Sequence, residues 1–244
     1  MQSNNPILTR VETYSDFQQP MTIQGAIQKS ALLTVIAAVI GVLLFFYCFM
    51  TLNLSIAYAA AMVGAIGGFI LGLVATFKPN TAPMIAIPYA FFEGAFLGGI
   101  SVIFQLKFPG VPLQALLATF VTTLVMFALY KYQLLRATEK FKSVLISAGI
   151  AIAIVFLVQF VLRLAFGSSI PYLFESNWLG IGFAVFVAII ASLNLILDFD
   201  LIESAAAQNA PKAMEWLCGI ALLATLVWMY YSFMRLLSLL QGDD

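Results

Sequence analysis

Three acids stand close together in SLNLILDFDLIESAAAQ, residues 192–208: Asp198, Asp200 and Glu203. They end an apolar run that begins near Trp178. Two more acids, Glu93 in PYAFFEGAFLGGIS and Glu215 in PKAMEWLCG, also fall within apolar stretches. Carboxylates in such surroundings share protons, accept hydrogen bonds or hold cations, hard cations in particular taking oxygen ligands. The other six acids, Glu12, Asp16, Glu139, Glu175, Asp243 and Asp244, fall in tails and loops, where a solvated surface accounts for them. The chain has no histidine, which removes the usual zinc sites and most acid–base triads. It shows no serine–lysine dyad and no glycine-rich phosphate loop. Neither an enzyme nor a bound cofactor is expected, and no nucleic-acid partner.

Helical geometry divides the three neighbouring acids. At 100° per residue Asp198 shares a stripe with Asn194, whereas Asp200 and Glu203 project almost oppositely. Asp198 is therefore expected to face inward as a proton-sensitive gate. Asp200 and Glu203 are secondary acids at the helix end, solvated beside Lys212. Glu215 opens the last apolar stretch, where an acid suits the helix dipole. Its expected depth matches that of Asp198, so the two could share a proton or hold calcium, which makes Asp198 and Glu215 the candidate metal ligands. Glu93 lies about 9 Å deeper at 1.5 Å per residue. An unpaired carboxylate there is costly, so Glu93 is either neutral and hydrogen-bonded or faces water or a cation. Pro88 loosens the same stretch and frees a carbonyl.

The elements that must carry these residues follow from composition. The chain is 63% hydrophobic and 9% charged, with a mean hydropathy of +1.03. Ordinary soluble domains are about 25% charged. Seven apolar stretches, residues 30–50, 54–77, 82–104, 111–132, 143–166, 178–201 and 214–240, each reach the roughly 20 residues that a bilayer span requires. No segment alternates as a membrane β-strand does. The expectation is an all-α integral membrane protein with a seven-transmembrane-helix bundle at 30–244, preceded by a polar cytoplasmic segment at 1–29. That segment has no apolar core after a basic start and is not expected to be a cleaved signal peptide. Met21, Ile23, Ala26 and Ile27 have the spacing of a short interfacial helix.

Lys and Arg set the orientation. With seven spans, Arg10, Lys29, Lys78, Lys131, Arg136, Lys140, Lys142 and Lys212 fall on one side, and Lys107, Arg163 and Arg235 on the other. The excess places the N-terminus in the cytoplasm and the C-terminus outside. The loop KYQLLRATEKFK dominates that bias and reads as a topology anchor. Cys48 and Cys218 lie at opposite depths and are not expected to pair. Gly64, Gly68 and Gly72, then Gly94 and Gly98, form small-xxx-small stripes that bring the second and third helices close.

The runs LDFDLIE, PKAMEW and LVWMYYSFMRLL, with PYAFFEGAFLGGIS and LYKYQLLRATEKF, resemble the Bax inhibitor-1 superfamily in its bacterial Bax inhibitor 1-like branch. The likeness extends from PMTIQGAIQKSA to the C-terminus. It implies a seven-helix protein of the bacterial inner membrane. Characterised relatives conduct or leak calcium in a pH-sensitive way, with protonation of an aspartate pair on the sixth and seventh helices regulating the pore. Asp198 falls on the sixth-helix aspartate, and Glu93 and Gly94 on the third-helix Glu-Gly. The last helix departs from the pattern: its centre reads ALLATLVWMY, Thr225 stands near the partner's place, and Ser232 stands where an acid is expected. The two-aspartate latch does not carry over intact, so Glu215, Glu93 or a basic residue must supply its other half. The function this implies is a cation leak, calcium or protons crossing the lipid bilayer. The alternative is a non-transporting regulator that binds a quality-control protease or another membrane protein.

Overall fold

A computed structural model of the chain describes residues 19–167, 170 and 173–242, apart from the side chains of residues 163 and 164. Arg10, Glu12, Asp16, Asp243 and Asp244 lie outside the described residues. The apolar stretches form seven helices: α1 (Ile23–Thr51), α2 (Leu54–Phe77), α3 (Ala82–Lys107), α4 (Val111–Lys131), α5 (Glu139–Phe166), α6 (Trp178–Ala207) and α7 (Ala213–Gln241). Each contains a segment long and apolar enough to cross a membrane. The described residues form no strand, only one isolated bridge between Pro20 and Pro211. The chain is an all-helical, multi-pass membrane protein.

Local chemistry explains where the helices begin. The Thr22 hydroxyl accepts the Gly25 N–H at 2.9 Å and caps α1. Asn53 and Asn177 do the same for α2 and α6, accepting from Ile56 and Gly180 at 3.2 and 2.9 Å. Such caps satisfy N–H groups that have no partner within the helix. A 3-10 turn, Pro79–Thr81, leads into α3, and Gly110, at φ +87°, takes the left-handed conformation that precedes α4. Pro88 lies inside α3, which continues through it.

Two boundaries differ from the sequence expectation. Helix α1 begins at Ile23, so the division expected at residue 30 falls inside it, and no separate interfacial helix forms over Met21–Ile27. The reason is packing: Met21 and Ala26 are buried with Ile202, Ala205 and Cys218, which holds the polar first turns of α1 against α6 and α7. Helix α6 runs on to Ala207, past all three acids.

The chain divides into two compact units, residues 1–100 with 200–224, and residues 101–199 with 225–244. In the first unit α3 meets both α1 and α2 backbone to backbone. A Cβ on Gly94 would lie 2.6 Å from the Ala37 carbonyl, one on Gly98 2.6 Å from the Gly41 carbonyl, and one on Gly64 2.6 Å from the Phe92 carbonyl. The glycine stripes thus bring α3 against two neighbours. Gly72 differs, since a Cβ there meets only the Tyr89 ring at 3.7 Å. In the second unit Leu145, Ile152, Val187 and Ile190 form a core flanked by Phe156, Phe183 and Trp228. Many large apolar side chains face outward, among them Phe120 and Leu157, as surfaces solvated by lipid do.

Overpacking at the close contacts is testable. Gly94→Leu should destabilise the protein by about 1–3 kcal/mol, because its Cβ meets a backbone carbonyl that cannot move aside. Gly149→Ala, where a Cβ meets nothing within 4 Å, should be neutral or slightly stabilising. Thermal unfolding in detergent should separate the two; equal melting temperatures would contradict the packing described.

Candidate functional sites

Glu215 stands in the first turn of α7 and is 2% exposed. Its Oε1 accepts the Thr22 backbone N–H at 2.9 Å and the Thr22 hydroxyl at 3.3 Å. Its Oε2 accepts from Lys29 Nζ in an ion pair. The Lys29 ammonium also lies 5.3 Å from the Trp216 ring centre, where the ring face attracts a cation. Gly25 has no room for a side chain, because a Cβ there would overlap the Glu215 carboxylate. Just before α1, Met21 N–H donates to the Ala210 carbonyl at 2.8 Å, and Lys212 N–H donates to the Gln19 carbonyl at 3.0 Å. Lys212 Nζ reaches Gln19 Oε1 at 3.0 Å. The start of α1 is thereby strapped to the α6–α7 turn, with Glu215 at the centre of the strap.

Glu93 lies half-buried on α3. The Tyr89 hydroxyl, one turn earlier on the same helix, donates to its carboxyl. The carboxyl also lies against α2, where a Cβ on Gly68 would come within 2.7 Å of Oε1. Gly68 therefore serves α3 by leaving space for a polar group. Tyr89 itself is 3% exposed.

Asp198 lies half-buried on α6, and the Thr225 hydroxyl of α7 donates to its carboxyl. Its Oδ2 is buried and has no hydrogen-bond partner. A hydroxyl on α7 is thus the partner of the α6 aspartate. Ser232 does not act as an acid's substitute: its hydroxyl donates to the Trp228 carbonyl of its own helix at 2.8 Å. Asn194 likewise turns to its own helix, Nδ2 donating to the Ile190 carbonyl at 2.8 Å. Asp200 is half-buried and Glu203 exposed in the last turns of α6.

Among the described residues no group of three or more acidic or sulfur side chains could enclose a metal ion. The two acids considered as calcium ligands take different partners, Asp198 a threonine and Glu215 a lysine with a threonine. Sequence reasoning missed Lys29, Tyr89 and Gly25. Tyr89 was within reach, since four residues separate it from Glu93 and that spacing puts both on one helix face. Lys29 had no local signal, lying 186 residues from Glu215.

Breaking the strap should be costly. Removing one partner of a buried ion pair leaves the other charge uncompensated, at about 3–5 kcal/mol. Because the Lys29 side chain keeps 19% exposure, Glu215→Ala should fall toward the lower end of that range. Combining Lys29→Met with Glu215→Gln should cost less than the sum of the single changes. Chemical unfolding in detergent measures this coupling, and strictly additive losses would exclude it.

Comparison with known proteins returns a family model described as Bax inhibitor 1 like, which matches residues 5–242. No curated protein and no solved structure matches the chain.

Proposed function

Because this chain belongs to the Bax inhibitor 1-like family over residues 5–242, we propose that it is a pH-sensitive cation leak, with calcium the favoured ion. The supporting observation is the buried Oδ2 of Asp198, which has no hydrogen-bond partner. A carboxylate in that state lacks a counter-charge, and a proton or a passing cation supplies one. The single hydroxyl of Thr225 stabilises the group without neutralising it. Calcium takes 6–8 oxygen ligands in a tight site. One carboxylate and one hydroxyl offer far fewer, which suits transient contact during conduction, where an ion must leave as readily as it arrives.

In this reading Asp198 is the gate and Glu93, with Tyr89, is a second carboxyl assigned to the conduction path. Glu215 is assigned to fastening α1 rather than to gating, since its oxygens are already taken by Thr22 and Lys29. The N-terminus faces the cytoplasm of a bacterial cell and the protein lies in its inner membrane, in keeping with the Lys and Arg bias.

Purified protein in liposomes tests the reading through calcium flux across about pH 6 to 8, the range in which perturbed carboxylates exchange protons. Wild-type flux should change with pH. Asp198→Asn, which mimics the protonated acid, should remove most of that dependence, whereas Asp200→Asn should retain it. Absence of calcium flux at every pH would instead favour a non-transporting regulator. Full pH dependence in Asp198→Asn would remove Asp198 from the gate.

A further inference from the structure

Arg235 stands in the last two turns of α7 and is 8% exposed. Its guanidinium carbon lies 4.2 Å from the centre of the Phe174 ring, 5.4 Å from Phe156 and 5.5 Å from Phe183. Nη2 donates to the Leu173 carbonyl at 3.0 Å. Nη1 is buried and has no hydrogen-bond partner. The Lys29–Glu215 and Lys142–Glu139 ion pairs do not involve this arginine. A permanently charged group is therefore enclosed by three phenylalanine rings and one carbonyl, with Tyr231 one turn earlier in electrostatic contact, and no carboxylate among the described residues is paired with it.

A purely structural role explains only part of this arrangement. To tie the α5–α6 connection to α7, the Leu173 carbonyl and the ring contacts suffice. They leave the Nη1 donors unused, and ring faces attract a cation without neutralising it. Buried donors without protein partners commonly mark an ion or water that completes the site.

We infer that Arg235 anchors an oxyanion site that takes a phosphate group, with Nη1 as the free donor. The planar guanidinium matches the oxygen spacing of phosphate, and charge-assisted bonds of this kind are strong. The three phenylalanines hold the guanidinium in orientation before the anion arrives. Location favours phosphate as the ligand class. Helix α7 has 29 residues, whereas a hydrocarbon core takes about 20, so its last turns reach the headgroup level. A phospholipid headgroup and inorganic phosphate present the same oxygens, and experiment separates these two sources.

The full-length protein in detergent is incubated with phosphatidylglycerol, with diacylglycerol of the same chains, or with inorganic phosphate. Lipid retention is read by native mass spectrometry and phosphate binding by the shift in melting temperature. Wild type should retain phosphatidylglycerol about tenfold over diacylglycerol if a lipid is the ligand, a ratio that corresponds to one charge-assisted phosphate contact. Stabilisation by inorganic phosphate without lipid preference would identify the free anion as the source. R235Q should abolish whichever effect wild type shows, and R235K should recover part of it. If R235Q does not fold, wild type and R235K decide. A wild type with neither lipid preference nor phosphate shift overturns the site, as does an R235Q or R235K protein with undiminished binding.

Discussion

An ionisable group inside an apolar helix bundle must find its partner within the protein, because the surrounding lipid offers none. That constraint accounts for most of the polar architecture here. Glu215 meets it fully, with a lysine ammonium, a backbone N–H and a hydroxyl. Glu93 meets it through a tyrosine of its own helix. Asp198 and Arg235 meet it only in part, each keeping one buried atom without a partner. The degree of satisfaction separates Glu215, whose oxygens are all engaged, from Asp198 and Arg235, which keep unused bonding capacity.

Close packing and polar satisfaction depend on one another in the first unit. Glycines let α3 meet α1 and α2 at backbone distance, and two others make room for carboxyls instead of for backbone. Gly25 leaves space for Glu215, and Gly68 leaves space for Glu93. A methyl group at either place would displace the acid from its partners. Small residues in these helices therefore do two jobs. They shorten the distance between helices, as in other membrane bundles, and they admit polar groups that larger side chains would exclude.

The seven helices were legible because each apolar run had the length of a span, and periodicity had little to add. The glycine stripes were legible for the same local reason. The start of α1 was legible only in part: the spacing of Met21, Ile23, Ala26 and Ile27 suggested a short helix, but its continuity with the first span shows only in the fold, where Met21 and Ala26 are buried against α6 and α7. Asp198 was legible from the family resemblance, and so was the place of Thr225. The hydrogen bond between them needed the fold. The box around Arg235 was hidden because its rings come from α5, the α5–α6 connection and α6, with no shared local pattern.

The central claim is that Asp198 changes protonation state in the working pH range. Infrared difference spectroscopy of the protein in lipid tests it directly, by following the carboxyl C=O stretch as pH is stepped between about 6 and 8. The account predicts a carboxyl band that changes with pH in wild type and is missing from the Asp198→Asn difference spectrum. An identical band in both proteins, or none in wild type, would contradict it.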